Sequence, residues 1–546
     1  MTTKGNILRF LQQHLQDQPN GIAFKFEHRN YTYTEVDEET EQLAGAFRDI
    51  GVSQGDTVCL MLPNCPELIF SWWALARLGA VAVPINVEYT EERLARLINT
   101  AKARVVLVDS RFERALTAAV SRGSDVHTVI HRGPRSDADA GARRTVSFDD
   151  FKPVLPDPVP VADVQPHDPF MLLFTSGSTG EAKAVEISHG YAEHFATEKV
   201  RHFGHRSDDV LFTCYPLFHA EATLETVMPA LILGATAAVV ERFSASRFWD
   251  QIRELEATTF WATGTVQGIL LSKPASPRDR EHNLRFTYAG AVHDRVKEFE
   301  DRFGVHHIQY YGSTECGLVA FHVDGPAEPG IMGRPCEHHD VVIADENDEP
   351  VPAGTVGQIL VRPRVAHGCM TGYYGDGNET AKAWRNLWHH TGDLAYVDET
   401  GLLRFAGRLK DVIRRRGRNI PPVEIETVLR KHPDVNDCAA IAVPAELAED
   451  DIKVVVEPHP GSTPDVDAII EMARESLPRH MQPRYFELVS EIPRTPTKKP
   501  DKPALRRNWR TPGTIDLDNT AVVGNSMRTA TNNPAGVSTT AGIAEV

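Results

Sequence analysis

A run of glycine and hydroxyl residues stands out in the sequence LLFTSGSTGEAKAVEISH, over residues 172–189. Small residues leave backbone N–H groups exposed, so that they can surround an anion, and a nearby lysine adds a full positive charge. The pattern therefore predicts a polyphosphate-binding loop directly after a strand over residues 170–174. The residues that would form it are Thr175, Ser176, Gly177, Ser178, Thr179, Gly180 and Lys183.

This loop is not a Walker A loop, which has the pattern G-x-x-x-x-G-K-[ST]. Counted from Gly177, the second glycine position holds Ala182 and the Ser/Thr position holds Ala184. The sequence thus disfavours a P-loop NTPase. The alternative for this segment alone is a polar surface loop between two elements.

Composition narrows the possible partners. The formal net charge of −17 argues against nucleic acid or an anionic membrane, so an anionic ligand must be held by local positive groups. No apolar run reaches the roughly 18–20 residues that span a bilayer, and the first 20 residues predict an amphipathic helix rather than a signal peptide. The seven cysteines contain no C-x-x-C pair. They predict neither disulfides nor a zinc site, and they indicate reduced thiols in a cytoplasmic protein.

The 546 residues exceed one ordinary domain. Helical and strand patterns alternate over residues 35–360, which predicts layered α/β subdomains with largely parallel strands. The proline-rich residues 153–166 predict an extended connection. Beyond residue 410, short strands and helices predict a small α+β domain. We therefore expect an N-terminal domain over 1–409, a C-terminal domain over 410–510, and a disordered tail over 511–546, which lacks aromatic residues.

A second motif, QYYGSTECG over residues 309–317, carries groups suited to a nucleotide. Tyr311 offers an aromatic face to adenine, and Gly312 lets the nucleotide approach the backbone. Thr314 and Glu315 follow, and the carboxylate of Glu315 suits Mg²⁺, a hard cation. The alternative for this motif alone is a strand end with a surface glutamate.

A third pair of motifs, WHHTGDL over 388–394 and FAGRLKD over 405–411, suits a ribose. Asp393 can accept hydrogen bonds from both ribose hydroxyls, and Arg408 can donate to them. The neighbouring His389 and His390 point to opposite faces of a strand, so we expect no shared metal there.

In this order, the motifs resemble the adenylate-forming superfamily of acyl-CoA synthetases, adenylation domains and luciferases, and the resemblance covers residues 21–507. The chain departs from the family pattern at Ala182 and Ala184, where Pro and Gly are usual, and at Lys498, where Gly is usual. Residues 241–260 resemble the carnitine/crotonobetaine-CoA ligase-like branch.

The resemblance implies that a small-molecule carboxylic acid attacks the α-phosphate of ATP, with release of pyrophosphate and transfer of the acyl group to CoA. It implies that Gly290, Ala291 and Tyr311 enclose adenine. It also implies that Lys499, in EIPRTPTKKPDK over 491–502, contacts the carboxylate and α-phosphate oxygens, although Lys498 stays an alternative.

The resemblance further implies a domain rotation about a hinge at Lys410. It places Arg416, Gly417 and Arg418 on the side where the thiol enters, with His219 beside the acyl pocket. The implied pocket takes a flat aromatic acid or a medium aliphatic chain, and its candidate lining residues are Trp261, Gly264, Tyr310 and Gly317.

Three other functions remain open from the sequence. In the first, the acyl group passes to a separate carrier protein, and in the second, the enzyme activates nitrite and diazotises an aryl amine. A regulator that binds nucleotide without catalysis is disfavoured, because Glu315, Asp393, Arg408 and Lys499 are all present.

Overall fold

The computed structural model of the chain describes residues 5–134, 144–151, 158–176, 182–290, 292, 295–415, 418–445, 450–459, 461–495 and 500–519. The chain divides into two units, Met1–Lys410 and Asp411–Val546. Parts of two predicted segments lie outside the described residues: the proline-rich connection at 152–157 and the tail from residue 520.

The first unit alternates helices and strands. Its helices are α1 (Arg9–Asp17), α2 (Tyr33–Asp49), α3 (Pro66–Leu78), α4 (Glu91–Ala101), α5 (Glu113–Val120), α6 (His189–Phe203), α7 (Ala220–Ala222), α8 (Met228–Leu233), α9 (Phe248–Glu254), α10 (Gly264–Leu271), α11 (Val296–Phe303) and α12 (Gly377–Ala383). A π-helical segment, Thr223–Val227, joins α7 to α8.

The strands of the first unit are β1 (Ile22–Phe26), β2 (Arg29–Thr32), β3 (Thr57–Met61), β4 (Val81–Pro84), β5 (Val105–Asp109), β6 (Thr128–Arg132), β7 (Arg144–Ser147), β8 (Pro169–Ser176), β9 (Ala182–Ser188), β10 (Val210–Thr213), β11 (Thr236–Val239), β12 (Thr259–Trp261), β13 (Phe286–Ala289), β14 (His306–Ser313), β15 (Gly317–His322), β16 (Ile331–Pro335), β17 (His339–Ala344), β18 (Gly357–Pro363), β19 (Gly372–Tyr373), β20 (His389–Val397) and β21 (Leu403–Arg408).

Two sheets organise these strands among the described residues. One has the order β19-β9-β8-β4-β3-β5-β6-β7, and the other the order β17-β18-β20-β21-β16-β15-β14-β13-β12-β10-β11-β1-β2. The run β4-β3-β5-β6 is parallel, as are β11-β10-β12-β13-β14. These strands consist largely of buried apolar residues, because a parallel sheet is covered on both faces. The predicted parallel α/β layers are therefore present.

Local sequence accounts for the ends of individual helices. Thr32 and Glu35 form a reciprocal capping box that starts α2. Helix α3 is apolar on nearly every side, begins with Pro66, and ends at Gly79, whose φ of 69° is left-handed. Helix α3 is buried and leads into β4. Among the described residues, no helix combines the length and hydropathy that a bilayer crossing requires.

The second unit is a small α+β structure. Its strands are β22 (Ile413–Arg415), β23 (Arg418–Ile420), β24 (Val435–Pro444), β25 (Asp450–Pro458), β26 (Tyr485–Leu488) and β27 (Ile515–Asp516), and its helices are α13 (Pro422–Leu429), α14 (Val466–Ser476) and α15 (Lys502–Arg507). Strands β24-β25-β26-β27 form one sheet and β22-β23 a hairpin.

Candidate active site

The predicted phosphate loop joins two paired strands. Strands β8 and β9 are antiparallel, with Thr175 opposite Lys183 and Ser176 opposite Ala182. The four remaining loop residues, Gly177, Ser178, Thr179 and Gly180, lie outside the described residues. The pairing places the Thr175 hydroxyl and the Lys183 ammonium group at one end of a hairpin.

Lys183 is held by a carboxylate that the sequence did not predict. Its Nζ lies 2.7 Å from Glu379 Oε2 and 4.7 Å from the centre of the Tyr373 ring. Lys183 and then Lys382 lower the pKa of Glu379 to about 2, so this carboxylate is ionised at neutral pH. The ammonium group is thus oriented beside the phosphate hairpin by an ion pair from α12.

Glu315 faces the same hairpin. Its Oε1 lies 3.4 Å from both the Thr175 hydroxyl and the Tyr373 hydroxyl, and its backbone carbonyl accepts a hydrogen bond from Met370 N–H. Next to it, the Thr314 carbonyl accepts a hydrogen bond of 2.8 Å from the Tyr191 hydroxyl. The second motif is therefore fixed against the first, with a carboxylate and two hydroxyls close together.

The third motif meets the second at Asp393. The Tyr311 hydroxyl donates to Asp393 Oδ2 at 2.8 Å, and Arg408 Nε lies 3.0 Å from Asp393 Oδ1. Asp393 and Arg408 are register partners across β20 and β21. The structure thus brings three of the predicted nucleotide residues into direct contact. His389 is buried in the same strand, and His390 Nε2 lies 2.9 Å from Asp348 Oδ1.

Close backbone approach explains two of the predicted glycines. A Cβ on Gly312 would lie 2.3 Å from the Gly317 carbonyl oxygen, inside the β14–β15 pair. Gly317 has a φ of 66°, in the left-handed region that favours glycine. Gly290 follows β13, and a Cβ there would lie 3.1 Å from the Tyr310 carbonyl oxygen. Its neighbour Ala291 lies outside the described residues.

Two of the predicted acyl-pocket residues belong to a buried polar network. Trp261 Nε1 donates to the Tyr310 hydroxyl at 2.7 Å, and the Tyr310 hydroxyl donates to Glu225 Oε2. Lys199 Nζ lies 3.1 Å from that oxygen and 3.2 Å from the centre of the Tyr310 ring. Burial lowers the pKa of Lys199 to about 8 and raises the pKa of Glu225.

Sequence reasoning missed Lys199 and Glu225. The available signal was helical spacing, because Tyr191, Phe195 and Lys199 share one face of α6 and all three are buried. A charged residue on such a face requires a partner. Glu225 supplies it from the π-helical segment Thr223–Val227.

The other predicted pocket residues lie around this network. Gly264 is the first residue of α10, and the preceding Thr263 caps that helix and contacts the Tyr215 hydroxyl at 3.0 Å. The Tyr215 ring lies edge-on to Trp261 at 4.6 Å. His219 is half-buried, and its ring packs 4.7 Å from that of Phe218.

Four of the predicted residues belong to the end of the first unit and to the second unit. Lys410 is the last residue of the first unit, in a short 3₁₀ turn, Leu409–Asp411. Arg418 is exposed, whereas Arg416 and Gly417 lie outside the described residues. Their neighbour Arg415 contacts Asp451 at 3.1 Å.

Lys498 and Lys499 also lie outside the described residues. The flanking residues are well anchored: Arg494 pairs with Pro500 in a backbone bridge and lies 2.9 Å from both Asp437 and Glu457.

The chain is similar to known proteins over most of its length. Residues 11–374 match the family described as AMP-binding enzyme, and residues 424–499 match the AMP-binding enzyme C-terminal domain. The chain is 30% identical over 498 residues to a crotonobetaine/carnitine–CoA ligase of Proteus mirabilis (strain HI4320), covering 88% of this chain and 93% of the relative. It is 29% identical over 486 residues to the Salmonella typhimurium (strain LT2) enzyme of that name, with the same coverage.

Among solved structures, the chain is similar to the anthranilate CoA ligase AuaEII in complex with anthranoyl-AMP, with a TM-score of 0.82 and 25% identity over 92% of this chain and 96% of that one. These matches confirm the fold class and the resemblance inferred from the sequence. The chain therefore belongs to the AMP-binding enzyme family and is an AMP-forming ligase.

Proposed function

We propose that this enzyme converts a small carboxylic acid into its CoA thioester through an acyl-adenylate. A carboxylate oxygen forms a bond to the α-phosphorus of ATP while the bond to the bridging oxygen breaks, which releases pyrophosphate. The CoA sulfur then forms a bond to the acyl carbon, AMP leaves, and the thiol proton passes to solvent. The relatives named above are CoA ligases, which favours CoA over a carrier protein or an amine as the acceptor.

The observation that carries this proposal is the contact among Tyr311, Asp393 and Arg408. Asp393 is a buried carboxylate that contacts Tyr311 through one oxygen and Arg408 through the other among the described residues, and a carboxylate has about four lone-pair sites. It can therefore accept further hydrogen bonds from the two ribose hydroxyls of a nucleotide. Tyr311 on the adjoining strand, together with Gly290 and Ala291, would enclose the adenine.

The phosphates would lie at the β8–β9 hairpin. Such a transfer is accelerated mainly by positioning and by electrostatic stabilisation. We assign the β- and γ-phosphates to the loop between Thr175 and Gly180 and to Lys183, which is already oriented by Glu379. Lys499 would contact the carboxylate and the α-phosphate oxygens.

Glu315 is the residue that would hold Mg²⁺. Its carboxylate lies close to the Thr175 and Tyr373 hydroxyls, an all-oxygen set of the kind that this hard cation prefers. When bound, Mg²⁺ would neutralise negative charge on the phosphate oxygens.

The acid would bind next to Trp261 and Tyr310. The hydrogen-bonding groups of both side chains are used by the Glu225 network, so each offers its ring to the substrate rather than its polar atom. Gly264 and Gly317 leave room beside them. This favours a flat or compact organic acid as substrate.

For thioester formation, we assign a hinge to Lys410, and a thiol-side surface to Arg416, Gly417 and Arg418. Cationic guanidinium groups suit the phosphates of CoA. His219 would lie beside the thiol path. The seven buried, free thiols agree with a reducing cytoplasm, which we propose as the location.

ATP–pyrophosphate exchange tests the first half-reaction. The purified enzyme would be assayed with aromatic, medium aliphatic and betaine-type acids, and separately with nitrite. We expect exchange that depends on a carboxylic acid. CoA would then be added to each acid that supports exchange, and the thioester would be sought by mass spectrometry.

Two results would overturn the proposal. If nitrite supported exchange and no carboxylic acid did, the enzyme would activate nitrite. If an acid supported exchange but gave no thioester with CoA, the acceptor would be another thiol or an amine. Asp393→Ala is the matched variant, since it removes the proposed ribose contact.

A further inference from the structure

Four side chains of types that bind metals lie together where α6 meets the segment after β16. They lie outside the sequence motifs assigned to the nucleotide. Ligand atoms of His202, Cys336 and His338 all lie within 4.8 Å of one another. Glu198 Oε2 lies 3.2 Å from His202 Nε2 and 3.0 Å from His338 Nδ1. We call these four residues the Glu198–His338 cluster.

Two rigid elements supply the cluster. Glu198 and His202 are four residues apart on α6 and so lie on one face of that helix. Cys336 and His338 follow β16, where Cys336 N–H donates 2.8 Å to the Val319 carbonyl. Between them in the sequence, Glu337 forms an ion pair with Arg201 of α6. The two segments are thus joined on the outside of the cluster as well.

The hydrogen bonds leave acceptor atoms facing each other. His338 Nε2 lies 2.9 Å from the Leu318 carbonyl oxygen, which can only accept, so Nε2 carries the proton and a neutral ring has a bare Nδ1. That Nδ1 faces Glu198 Oε2. Glu198 is 8% exposed and His338 6%, so water does not solvate this contact.

Apart from facing one another, these atoms have no hydrogen-bond partner among the described residues. Glu198 Oε2, His202 Nε2 and His338 Nδ1 are buried and make no hydrogen bond of acceptable geometry. A buried polar atom that lacks a partner destabilises the folded state. One cation in their midst would satisfy all three atoms at once.

We propose that the Glu198–His338 cluster binds one divalent transition-metal ion, with Zn²⁺ as the best match. Two imidazoles, a thiolate and a carboxylate form a four-ligand set of the kind Zn²⁺ takes, whereas Mg²⁺ and Ca²⁺ prefer oxygen alone. With bonds of about 2.0–2.3 Å, tetrahedral ligand atoms lie about 3.3–3.8 Å apart. Ligand atoms within 4.8 Å of one another need only a small inward movement.

The absence of a C-x-x-C pair argues against a zinc site, but C-x-x-C is only one of several zinc-binding patterns. Here the ligands come from an E-x-x-x-H pair on a helix and a C-x-H pair on a loop. The metal would fix α6 to the segment that follows β16. The neighbouring stripe of α6 carries Phe195 and Lys199, so the site would position the wall of the proposed acid pocket and would take no part in the chemistry.

Metal titration of the full-length protein tests the proposal. The protein would be stripped with a chelator and titrated with Co²⁺ and then with Zn²⁺. We expect one Co²⁺ per chain, a thiolate-to-cobalt charge-transfer band in the near ultraviolet, and the visible bands of tetrahedral cobalt. One equivalent of Zn²⁺ should abolish these bands and raise the melting temperature.

Variants assign the site to these residues. Cys336→Ser should remove the charge-transfer band, and His202→Gln should weaken Co²⁺ binding at least tenfold. Cys214→Ser, another buried cysteine, and His306→Gln, an exposed histidine, are the matched controls and should change neither reading. If Cys336→Ser does not fold, His202→Gln provides the same test. His202 lies at the edge of the Glu198–His338 cluster and is partly exposed, so its replacement should disturb folding less.

Three results would overturn the proposal: no stoichiometric binding by the stripped protein, a cobalt spectrum without a thiolate band, or an unchanged spectrum in both variants. The first would mean that the Glu198–His338 cluster is held by a protonated histidine instead. None of these results bears on ATP–pyrophosphate exchange, so the metal site and the proposed function succeed or fail separately.

Discussion

The Tyr311 hydroxyl donates a hydrogen bond of 2.8 Å to Asp393 Oδ2, although their strands are not neighbours. Strands β15, β16 and β21 lie between β14 and β20 in the sheet order. In a flat sheet, strands four spacings apart would be about 19 Å from each other. A tyrosine and an aspartate cannot span that distance, so this part of the sheet must curl strongly. The curl is what brings the second and third motifs together.

Asp393→Ala should therefore raise the KM for ATP. The variant removes the carboxylate that we assign to the ribose and leaves the Tyr311 hydroxyl and the Arg408 guanidinium without it. A hydrogen bond to a charged group contributes about 1.5–3 kcal/mol, which corresponds to an increase in the KM of about 10- to 150-fold. Steady-state ATP–pyrophosphate exchange measures the KM for ATP in both proteins.

Asp398→Ala is the control for that experiment. Asp398 accepts hydrogen bonds from Thr400 and lies 2.7 Å from Arg404 in the turn between β20 and β21. Its loss should lower the melting temperature and leave the KM for ATP unchanged. A melt showing that Asp393→Ala is unfolded would give Asp393 a structural role instead.

Gly312→Ala should strongly impair adenylation. The added methyl group would lie 2.3 Å from the Gly317 carbonyl oxygen, so β14 or β15 would have to shift, and Glu315 lies in the turn between them. We expect a fall in exchange activity of at least tenfold and a lower melting temperature. Gly377→Ala is the matched control, because a Cβ there meets nothing within 4 Å. Equal effects of the two substitutions would contradict this account.

Much of the framework could be predicted from the sequence, because it depends on local patterns. Local sequence is enough to predict two of the helices. One follows from the helical spacing of apolar residues over 35–49, and the other from the apolar run before Gly79. The motifs that carry Lys183, Tyr311 and Asp393 were also visible, since each combines residue types that a nucleotide requires.

Other features depend on contacts between distant segments. Strands β17, β18, β20 and β21 pair in an antiparallel order, and no local pattern states which strand lies beside which. Glu379 acts on Lys183 only because α12 returns to the hairpin. The buried ion pair of Lys199 with Glu225 was missed for the same reason: composition does not reveal that a charged residue is buried.

Lys199→Met should destabilise the protein. Lys199 is fully buried and Glu225 nearly so, and removing one partner of a buried pair leaves an uncompensated charge, which costs about 3–5 kcal/mol. The double variant with Glu225→Gln should recover a large part of this loss. Chemical denaturation measures the free energies of unfolding.

An exposed pair provides the contrast. Glu92 lies 2.9 Å from Arg96, and the two side chains are 68% and 59% exposed, so Glu92→Gln should cost at most about 1 kcal/mol. If Lys199→Met lowered the free energy of unfolding by no more than this, the buried pair would contribute nothing specific to stability.

The acid stability of the protein should depend on Glu379. Lys183 and Lys382 lower its pKa from 4.5 to about 2 in the folded state. The folded protein then binds fewer protons than the unfolded chain between these values. This contribution to stability is complete above pH 4.5 and is lost as the pH falls towards 2.

Thermal melts between pH 5 and about 2.5 check this expectation. Glu379→Gln should show a shallower loss of melting temperature in that window than the wild type. Glu399→Gln changes the same charge at an exposed position in the β20–β21 turn and should keep the wild-type slope. Parallel curves for the wild type and Glu379→Gln would contradict the prediction.

Lys499→Ala should abolish adenylate formation while ATP still binds. Losing one cation that contacts the transition state costs about 10²–10³ in rate. Folding should be preserved, because the segments on either side are anchored independently: Arg494 by Asp437 and Glu457, and Lys502 by Glu426 at 2.7 Å. Single-turnover pyrophosphate release measures the rate, and nucleotide binding by calorimetry confirms that ATP still binds. Lys498→Ala is the matched comparison, and it should retain most of the activity. If Lys498→Ala were inactive and Lys499→Ala active, the transition-state contact would belong to Lys498, at the position where the family usually has glycine.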